Sequence, residues 1–412
     1  MRELVAIELP GGPDFVRALR SAWDQGDAVA ALDARLPAAQ ARAQLATLRP
    51  SRVVGIDGSV ARVADGRPVE EGDALVVCTS GTSGEPRAAV LTLEAVAASA
   101  RATSSRLAVD PGRHHWLACL PLAHIGGLSV VTRALLTGTA LTVLPGFDAG
   151  EVTELGRRGQ VTHVSLVATA LRRLDPGLFA LVLLGGAAPP EHLAPNVVTT
   201  YGLTETGSGV VYDGRPIDGV ELAIGTGEPG GGAKDEILVR GPMLLRCYRD
   251  GTDPRLEGPG PTDRPAGPGR HETRDDARSP AAGAIGGDRR GGWLPTGDGG
   301  RLGPDGALEV TGRLAEVIVT GGEKVWPTAV EQVLARIPGV AEVAVWKRPD
   351  PEWGERVVAW VVPGTSAAPP ALVELREAVV AELAPWAAPK ELVLVPTLPR
   401  TSSGKVRRRL LR

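Results

Sequence analysis

The sequence predicts an α/β protein with a large N-terminal domain of parallel sheets and a small β subdomain, followed by a small α+β C-terminal domain. Three patterns support this prediction. Between residues 74 and 201, short runs rich in Val and Leu alternate with helical patterns, which is typical of parallel strands joined by helices. From about 219 to 248, short strands follow one another without helices. Residues 314–412 carry a separate pattern of helices and strands.

The predicted parallel strands are six short apolar runs. Because polar residues do not alternate within them, we expect helices to cover both faces of the sheet. The runs begin at residues 74, 115, 140, 162, 180 and 196 and read ALVVC, HWLACL, ALTVL, THVSLV, ALVLLGG and NVVTTYG. The later runs VELAI and EILVRG have no helix between them, so they predict the smaller antiparallel subdomain.

The C-terminal unit follows a segment of different composition. Residues 250–292 are rich in Gly, Pro, Asp and Arg and have almost no large apolar side chains, which predicts a disordered loop. Further on, PTAVEQVLARI predicts a helix with Pro327 in its first turn. Its apolar face consists of Val330, Val333, Leu334 and Ile337. Strands VAEVAVW and RVVAWVV, a helix around 370–384 and a strand KELVLV follow. The predicted domains are therefore 1–312 and 313–412.

Composition limits the classes of partner. There are 45 Lys and Arg against 48 Asp and Glu, and this balance gives no reason to expect nucleic acid binding. Cys78, Cys119 and Cys247 are widely spaced and form no CxxC pair, so neither a disulfide framework nor a zinc site is predicted. No signal peptide pattern and no run of about 20 apolar residues occurs. We therefore expect a cytoplasmic protein with small-molecule partners and no integral membrane association.

The first candidate functional segment is VVCTSGTSGEPRA, in which a predicted strand leads into a loop of glycines and hydroxyls. Glycines let the backbone approach a polyanion, hydroxyls donate to phosphate oxygens, and Arg87 adds a positive charge. The segment does not fit GxxxxGK[ST], so it is not a Walker A loop. Taken alone, it is more typical of a flexible turn. The candidate phosphate-binding residues are Thr79, Ser80, Gly81, Thr82, Ser83, Gly84 and Arg87.

A second candidate segment, YGLTETGSG, places Thr204 and Glu205 just after a predicted strand that ends near Tyr201. A hydroxyl beside a carboxylate at the C-terminal end of a parallel strand can bind phosphate and a hard cation such as Mg²⁺. The alternative is a helix start that has Thr204 as its N-cap.

Three further segments carry single candidate residues. PTGDGGRLGPDG places Asp298 in a predicted tight turn, where its carboxylate could accept hydrogen bonds from ribose hydroxyls. The alternative is a plain β-turn. VTGRLAEVIVTGGEKV places Arg313 at the predicted domain junction. LPRTSSGKVRR presents Lys405 on a Ser/Gly loop, and its alternative is a solvated basic tail.

In this order, the five segments resemble the adenylate-forming superfamily, which includes acyl-CoA synthetases, adenylation domains and luciferases. The resemblance covers the chain from about residue 74 to 412, except for the loop at 250–292. It implies that the TSGTSG loop binds the phosphates of ATP. The loop ends in Arg87 and Ala88, where the superfamily commonly has Lys and Gly. Arginine keeps the charge, but its planar fork is not equivalent to an ammonium group.

The resemblance also implies roles for the residues that match the superfamily motifs. Thr204 and Glu205 would engage the α-phosphate and Mg²⁺, with Glu205 as the metal ligand. Asp298 and Arg313 would hold the ribose. Lys405 would stabilise the α-phosphate and the acyl carboxylate during adenylation, and the small domain would then rotate for the second half-reaction. The remaining nucleotide-binding residues of the second motif are Tyr201 and Gly202.

A closer resemblance is to the o-succinylbenzoate-CoA ligases of menaquinone biosynthesis. It is carried by LPLAHIGGLSVVTRAL, THVSLVATAL, LLGGAAPP and TGGEKVWP. It implies ATP, Mg²⁺ and coenzyme A as cofactors, o-succinylbenzoate as the acid, and either a monomer or a homodimer. Gly185, Gly186 and Ala187 would line the adenine and substrate pocket. His124 would lie near the acyl substrate and join Lys405 among the catalytic residues.

Two alternatives remain open on the sequence. One is another acyl or aryl acid:CoA ligase, or an adenylation enzyme that loads a carrier protein. The other is a nucleotide-binding regulator that has kept the fold and lost turnover. Arg87 motivates this second alternative, as does Ala315, which stands where relatives often carry Asp or Lys at the hinge.

Overall fold

The structure, a computed structural model, describes residues 2–79, 87–186, 189–190, 192–225, 233–255, 292–364, 368–400 and 406–411. The predicted loop at 250–292 thus lies almost entirely outside the described residues. Four sheets account for the strands of the described part of the chain. None of the described helices has the length and apolarity needed to cross a bilayer.

The first sheet has seven strands in the order β16-β6-β5-β2-β1-β3-β4. These strands are β1 (Leu4–Ile7), β2 (Ala28–Ala31), β3 (Arg52–Val54), β4 (Val60–Arg62), β5 (Asp73–Thr79), β6 (Arg87–Thr92) and β16 (Cys247–Tyr248). β1 pairs in parallel with β2 and β3, and β2 pairs in parallel with β5. All four residues of β1 and all four of β2 are buried, because α1 (Pro13–Asp24) and α2 (Ala38–Leu48) pack on this sheet.

The second sheet also has seven strands, in the order β13-β12-β11-β10-β9-β7-β8. These are β7 (His115–Ala118), β8 (Ala140–Val143), β9 (His163–Leu166), β10 (Leu181–Leu184), β11 (Val197–Leu203), β12 (Ser208–Tyr212) and β13 (Arg215–Pro216). β7 to β11 are parallel to one another, as their apolar runs predicted, and β12 returns antiparallel to β11.

Four helices accompany these strands: α3 (Leu93–Arg106), α4 (Ile125–Thr137), α5 (Ala149–Arg157) and α6 (Ala168–Leu171). α3 packs against α4 and contacts strands of both seven-stranded sheets. One continuous apolar core therefore joins the two sheets, and it includes the fully buried Trp116 of β7 and Phe15 of α1. This arrangement brings the 3-10 helix that follows β11 (Thr204–Thr206) beside β5 and β6.

The prediction for residues 74–201 needs one correction. The first apolar run forms β5, but β5 lies in the first sheet with strands from before residue 74 and not in the second sheet. Its neighbour on the other side is β6, which runs antiparallel to it. The sequence RAAVLT was not recognised as a strand because alanine has low intrinsic β-propensity. β6 forms because pairing with β5 and burial of Ala88 to Leu91 override that preference.

The remaining elements form two smaller sheets. The third is antiparallel, as predicted, and contains β14 (Glu221–Ile224), β15 (Glu236–Arg240), β17 (Leu294–Leu302) and β18 (Leu308–Arg313). The fourth contains β19 (Ile318–Thr320), β20 (Glu323–Val325), β21 (Val340–Asp350), β22 (Gly354–Pro363) and β23 (Glu391–Leu394). Its helices are α7 (Pro327–Leu334), which starts at the predicted proline, and α8 (Leu372–Glu382).

The described C-terminal residues have an apolar core of their own. It runs from Ile318 to Ala388 and includes Val330, Val333 and Leu334 of the predicted apolar face, and Ile337, the fourth residue predicted for this face, packs against it. The predicted boundary after residue 312 falls at the last residue of β18, five residues before β19 begins. The α/β fold with a large N-terminal and a small C-terminal unit is thus confirmed.

Candidate active site

The base of the TSGTSG segment is a β-hairpin. Thr79 ends β5, Arg87 begins β6, and the two residues lie opposite each other in the antiparallel register. The loop between them, with Ser80, Gly81, Thr82, Ser83 and Gly84, lies outside the described residues. The described part of the hairpin places Thr79 and Arg87 side by side at one end of β5 and β6.

Thr204 and Glu205 lie on a short 3-10 helix (Thr204–Thr206) that directly follows β11. The N-cap position is Leu203, so the alternative of Thr204 as the N-cap is wrong. The hydroxyl of Thr206 accepts from the Leu203 backbone N–H at 2.9 Å and so closes the turn instead. The backbone carbonyl of Glu205 accepts from the Leu245 N–H at 2.7 Å.

The strand that carries Tyr201 and Gly202 bends at these two residues, where the register with β12 shifts. A Cβ at Gly202 would lie 2.2 Å from the Ser208 carbonyl oxygen, so the bend requires glycine. The bend and the close approach of β12 place Glu205 beside the first sheet.

Glu205 and Arg87 are linked by a residue that the sequence analysis did not identify, Tyr248 of β16. The Tyr248 hydroxyl donates to Oε1 of Glu205 at 2.9 Å. The guanidinium carbon of Arg87 lies 3.6 Å from the centre of the Tyr248 ring, which is a cation–π contact. Arg87 also donates to the Thr252 hydroxyl, and its Nη2 lies 3.7 Å from Oδ2 of Asp250. Two predicted site residues are thereby brought together.

A second cluster joins Tyr201, Asp298 and Arg313. Asp298 and Arg313 are cross-strand neighbours in β17 and β18, and Arg313 Nε lies 2.8 Å from Asp298 Oδ1. The Tyr201 hydroxyl donates to Asp298 Oδ2 at 2.9 Å. Burial and the nearby charge of Asp298 raise the pKa of Tyr201, so the hydroxyl stays a donor at neutral pH.

Asp298 does not lie in a turn, as the glycines around it had suggested. It is a residue of strand β17 and only 6% of its surface is exposed, so both the predicted tight turn and the plain β-turn alternative are wrong. Pairing with β15 and β18 imposes the strand on this glycine-rich segment. The glycine next to Asp298 leaves room for Trp326, because a Cβ at Gly299 would lie 2.2 Å from Cη2 of that ring. The start of α7 therefore packs beside Asp298.

The other predicted site residues are placed as follows. Gly185 and Gly186 follow β10, at the same end of the second sheet as the end of β11, and Gly186 has a φ of +87°. Ala187 lies outside the described residues, as does Lys405. His124 is the N-cap of α4. Hydrogen bonds from Arg35 lower the pKa of Asp33, and the charge of His124 acts in the same direction, so His124 lies near that carboxylate.

The carboxylate of Glu205 and the groups around it suit the binding of Mg²⁺ together with a nucleotide. Within the described part of the chain, no group of three or more His, Cys, Asp and Glu side chains comes together as a metal cage. Mg²⁺ does not need such a cage, since it is usually bound through one or two carboxylates together with substrate phosphates. A carboxylate has about four lone-pair sites, so the hydrogen bond from Tyr248 leaves Glu205 with capacity for a cation.

Comparison with known families assigns the chain to a class. Residues 57–249 match the family described as AMP-binding enzyme, and residues 329–405 match the AMP-binding enzyme C-terminal domain. The two matches cover four strands of the first sheet, the whole second sheet, two strands of the third and three of the five strands of the fourth. They define the class of this protein as an AMP-binding enzyme.

Curated relatives narrow the class. A Mycobacterium tuberculosis protein named "Probable 2-succinylbenzoate--CoA ligase" is 37% identical over 372 residues, which are 84% of this chain and 85% of that protein. The 2-succinylbenzoate–CoA ligase of Enterococcus faecalis is 30% identical over 367 residues, 82% of this chain and 68% of the relative. The chain belongs to the 2-succinylbenzoate–CoA ligase family of AMP-binding enzymes. The resemblance that the motifs indicated is thus confirmed.

Solved structures agree with this assignment. The o-succinylbenzoate CoA synthetase (MenE) of Bacillus subtilis in complex with the acyl-adenylate intermediate OSB-AMP has a TM-score of 0.79 and 25% identity, covering 100% of this chain and 88% of that one. The same enzyme in complex with ATP and magnesium ion also has a TM-score of 0.79 and 25% identity, covering 99% and 89%. ATP-bound MatB of Rhodopseudomonas palustris, with 21% identity and a TM-score of 0.79, shares the fold.

Proposed function

We propose that this chain is an ATP-dependent acid:CoA ligase that converts o-succinylbenzoate to o-succinylbenzoyl-CoA, with release of AMP and pyrophosphate, in menaquinone biosynthesis. The observation that carries the proposal is the agreement between curated relatives of that name, at 30–37% identity, and a related structure that holds the OSB-AMP intermediate. ATP, Mg²⁺ and coenzyme A are its proposed cofactors, and its proposed place of action is the cytoplasm.

The first half-reaction has to overcome the repulsion between two anions. A carboxylate oxygen of the acid attacks the α-phosphorus of ATP, a new P–O bond forms, and pyrophosphate leaves with the electron pair of the broken bond. Mg²⁺, when bound, supplies positive charge that offsets the negative charge of the phosphates. Glu205 would hold it, Arg87 and the TSGTSG loop would bind the phosphates, and Thr204 would donate to the α-phosphate.

The ribose end of the nucleotide would bind at the second cluster. The buried carboxylate of Asp298 is oriented by Arg313 and Tyr201, and a charged acceptor of this kind suits ribose hydroxyls. Gly185, Gly186 and Ala187 would line the adenine and acyl pocket beside the ends of the parallel strands, where ligands bind in open α/β sheets. His124 would lie near the acyl group.

Lys405 would act only in the first half-reaction, where it stabilises the α-phosphate and the acyl carboxylate. In the second, the thiolate of coenzyme A attacks the acyl carbonyl, a thioester forms, and AMP leaves. We propose that residues 313–412 form a domain that rotates between the two steps. The separate core at Ile318 to Ala388 supports that division. Association into a homodimer is a further proposal that light scattering would test.

Pyrophosphate release with Mg-ATP, measured across a panel of acids with and without coenzyme A, tests the proposed substrate. The panel contains o-succinylbenzoate, benzoate, a medium-chain fatty acid and an amino acid. Turnover restricted to o-succinylbenzoate with coenzyme A is expected. Preference for another acid would overturn the proposal that o-succinylbenzoate is the substrate. Preference for a phosphopantetheinylated carrier protein would overturn the proposal that coenzyme A is the acyl acceptor. ATP binding without pyrophosphate release for any acid would favour a regulatory protein.

Separate measurement of the two half-reactions tests Lys405. Lys405→Ala is expected to abolish adenylate formation and to leave the conversion of supplied acyl adenylate to thioester largely intact. Equal loss in both half-reactions would contradict the role of Lys405 in adenylation alone.

A further inference from the structure

Tyr248 contacts Glu205 and Arg87, two of the charged side chains proposed for the phosphate end of the site, although none of the motifs includes it. It belongs to β16, an edge strand that pairs with β6, where Tyr248 lies opposite Ala89. Only 8% of its surface is exposed. Its hydroxyl donates to Glu205 and its ring lies under the guanidinium of Arg87. One buried aromatic side chain therefore touches Arg87 of the first sheet and Glu205 on the 3-10 helix that follows β11 of the second.

The backbone after Tyr248 closes around Arg87. The Tyr248 N–H donates to the Thr252 carbonyl at 2.7 Å, and the Gly251 N–H donates to the Tyr248 carbonyl at 2.9 Å. The Thr252 hydroxyl, which accepts from Arg87, donates to Oδ1 of Asp250 at 2.6 Å. The turn at 248–252 thus supplies a ring, a hydroxyl and a carboxylate to one guanidinium. This set restricts the rotamers of Arg87 before any ligand binds.

We infer that Tyr248 is a positioning residue for the magnesium and triphosphate groups, through two separable contacts. Its hydroxyl fixes the rotamer of Glu205 and leaves the remaining lone pairs of the carboxylate for the cation. Its ring fixes Arg87 for the phosphates. Both charges are then oriented in advance, so the protein does not have to reorganise them during the reaction. The inference rests on the proposed function, because it assumes that Glu205 binds Mg²⁺.

Two substitutions separate the contacts. Tyr248→Phe removes the hydroxyl and keeps the ring under Arg87. Tyr248→Leu removes both. Tyr212→Phe is the matched control, because Tyr212 is also buried and its hydroxyl lies 3.1 Å from Oγ1 of Thr103 in the core between α3 and β12. All variants are checked for folding by circular dichroism and thermal unfolding.

The hydroxyl contact is tested by binding of Mn²⁺, in place of Mg²⁺, to the complex with a non-hydrolysable ATP analogue, measured by electron paramagnetic resonance. Tyr248→Phe is expected to weaken Mn²⁺ binding about 10-fold, the lower limit for loss of a partner that orients a metal ligand. Tyr212→Phe should leave it unchanged. Equal Mn²⁺ affinity in Tyr248→Phe and the wild type would overturn the inference.

Glu205→Gln distinguishes failure of this inference from failure of the proposed metal site. If Glu205→Gln loses Mn²⁺ and Tyr248→Phe retains it, the metal site stands and the role of Tyr248 falls. If Glu205→Gln binds Mn²⁺ as the wild type does, the proposed role of Glu205 falls together with the inference.

The ring contact is tested without metal. In EDTA, Tyr248→Leu is expected to weaken ATP binding about threefold to tenfold, because the cation–π contact that orders Arg87 is lost. AMP binding should be much less affected. Tyr248→Phe should bind metal-free ATP as the wild type does. Equal metal-free affinities of Tyr248→Leu and the wild type for ATP would overturn this half of the inference.

Discussion

The two acidic residues of the proposed site, Asp298 and Glu205, are held in different ways. Asp298 is buried in strand β17, next to a shift in the register with β18, and its arginine partner is its cross-strand neighbour in β18. Glu205 lies on a 3-10 helix, and its hydrogen-bond partner Tyr248 comes from an edge strand 43 residues further along the chain. At the ribose end, strand register pairs Asp298 with Arg313, and the distant Tyr201 adds one donor. At the phosphate end, the hydrogen bond to Glu205 comes from a distant side chain and strand register plays no part.

This difference has a consequence for mutations. A change at the ribose end disturbs groups that every adenine nucleotide would use, so it should affect AMP and ATP equally. A change at the phosphate end should affect ATP and the metal and leave AMP almost untouched. The ratio of AMP to ATP affinity therefore reports which end has been altered.

Asp298→Asn should have the largest effect. The amide cannot provide a charged acceptor to the ribose hydroxyls, and each hydrogen bond to a charged group is worth about 1.5–3 kcal/mol. Loss of about 3 kcal/mol would weaken both AMP and ATP binding about 100-fold. Isothermal titration calorimetry with each nucleotide measures this loss of affinity.

Asp27→Asn is the control for this prediction. Asp27 is also a buried partner of an arginine, Arg52, but it lies at the N-terminal end of β2, opposite the site. It should cost stability and leave AMP affinity unchanged. AMP affinity within about twofold of the wild type in Asp298→Asn would contradict the ribose assignment.

Arg87→Ala should have the second largest effect, and a selective one. Removal of the cation is expected to weaken ATP binding about 10-fold, in the range of one charge-assisted contact, and to leave AMP binding nearly unchanged. The ATP affinity of Arg87→Lys should lie between those of Arg87→Ala and the wild type, because lysine keeps the positive charge but lacks the planar guanidinium. Arg173→Ala, which removes an exposed arginine near the Phe147 ring, is the matched control. If Arg87→Ala weakened AMP and ATP equally, the two ends of the site would not be independent.

Sequence reasoning identified Asp298 and Arg313 but misjudged the structure around them. The superfamily motifs contain both residues, so Asp298 and Arg313 could be identified without knowing how their side chains are oriented. The glycines on both sides of Asp298 predicted a turn from local preference. The strand forms because β15 and β18 satisfy the backbone of β17 on both sides, and such pairing is not visible in the local sequence.

Tyr248 shows what the sequence could not reveal. It is one tyrosine in LLRCYRDG, with no charge pattern or spacing that points to Glu205 or Arg87. Its importance arises from the pairing of β16 with β6 and from the contact between β6 and the 3-10 helix that follows β11. The sequence also did not reveal the N-terminal strands β1 and β2, because they contain no motif. They nevertheless form the centre of the first sheet.

Of the three substitutions, Tyr201→Phe should have the smallest effect on nucleotide binding. It tests the ribose end through a side chain that contacts Asp298. The substitution removes the hydroxyl that donates to Asp298 and leaves the carboxylate and Arg313 in place. We expect AMP and ATP binding to weaken together by about threefold, and the free energy of unfolding to fall by about 1–2 kcal/mol, because a charged group loses one donor. Because burial raises the pKa of Tyr201, the wild-type hydroxyl stays protonated, so the effect should be constant from about pH 6 to pH 9.

A double-mutant cycle decides whether Tyr201 acts through Asp298. In the Asp298→Asn background, Tyr201→Phe should cause a smaller loss of AMP affinity than in the wild type, because the charge that the hydroxyl orients has already been removed. Tyr212→Phe, a buried tyrosine with a neutral partner, should reduce stability without changing AMP affinity in either background. Additive losses of AMP affinity would mean that the Tyr201 hydroxyl affects the nucleotide independently of Asp298, and the contact between the two side chains would then not explain its role.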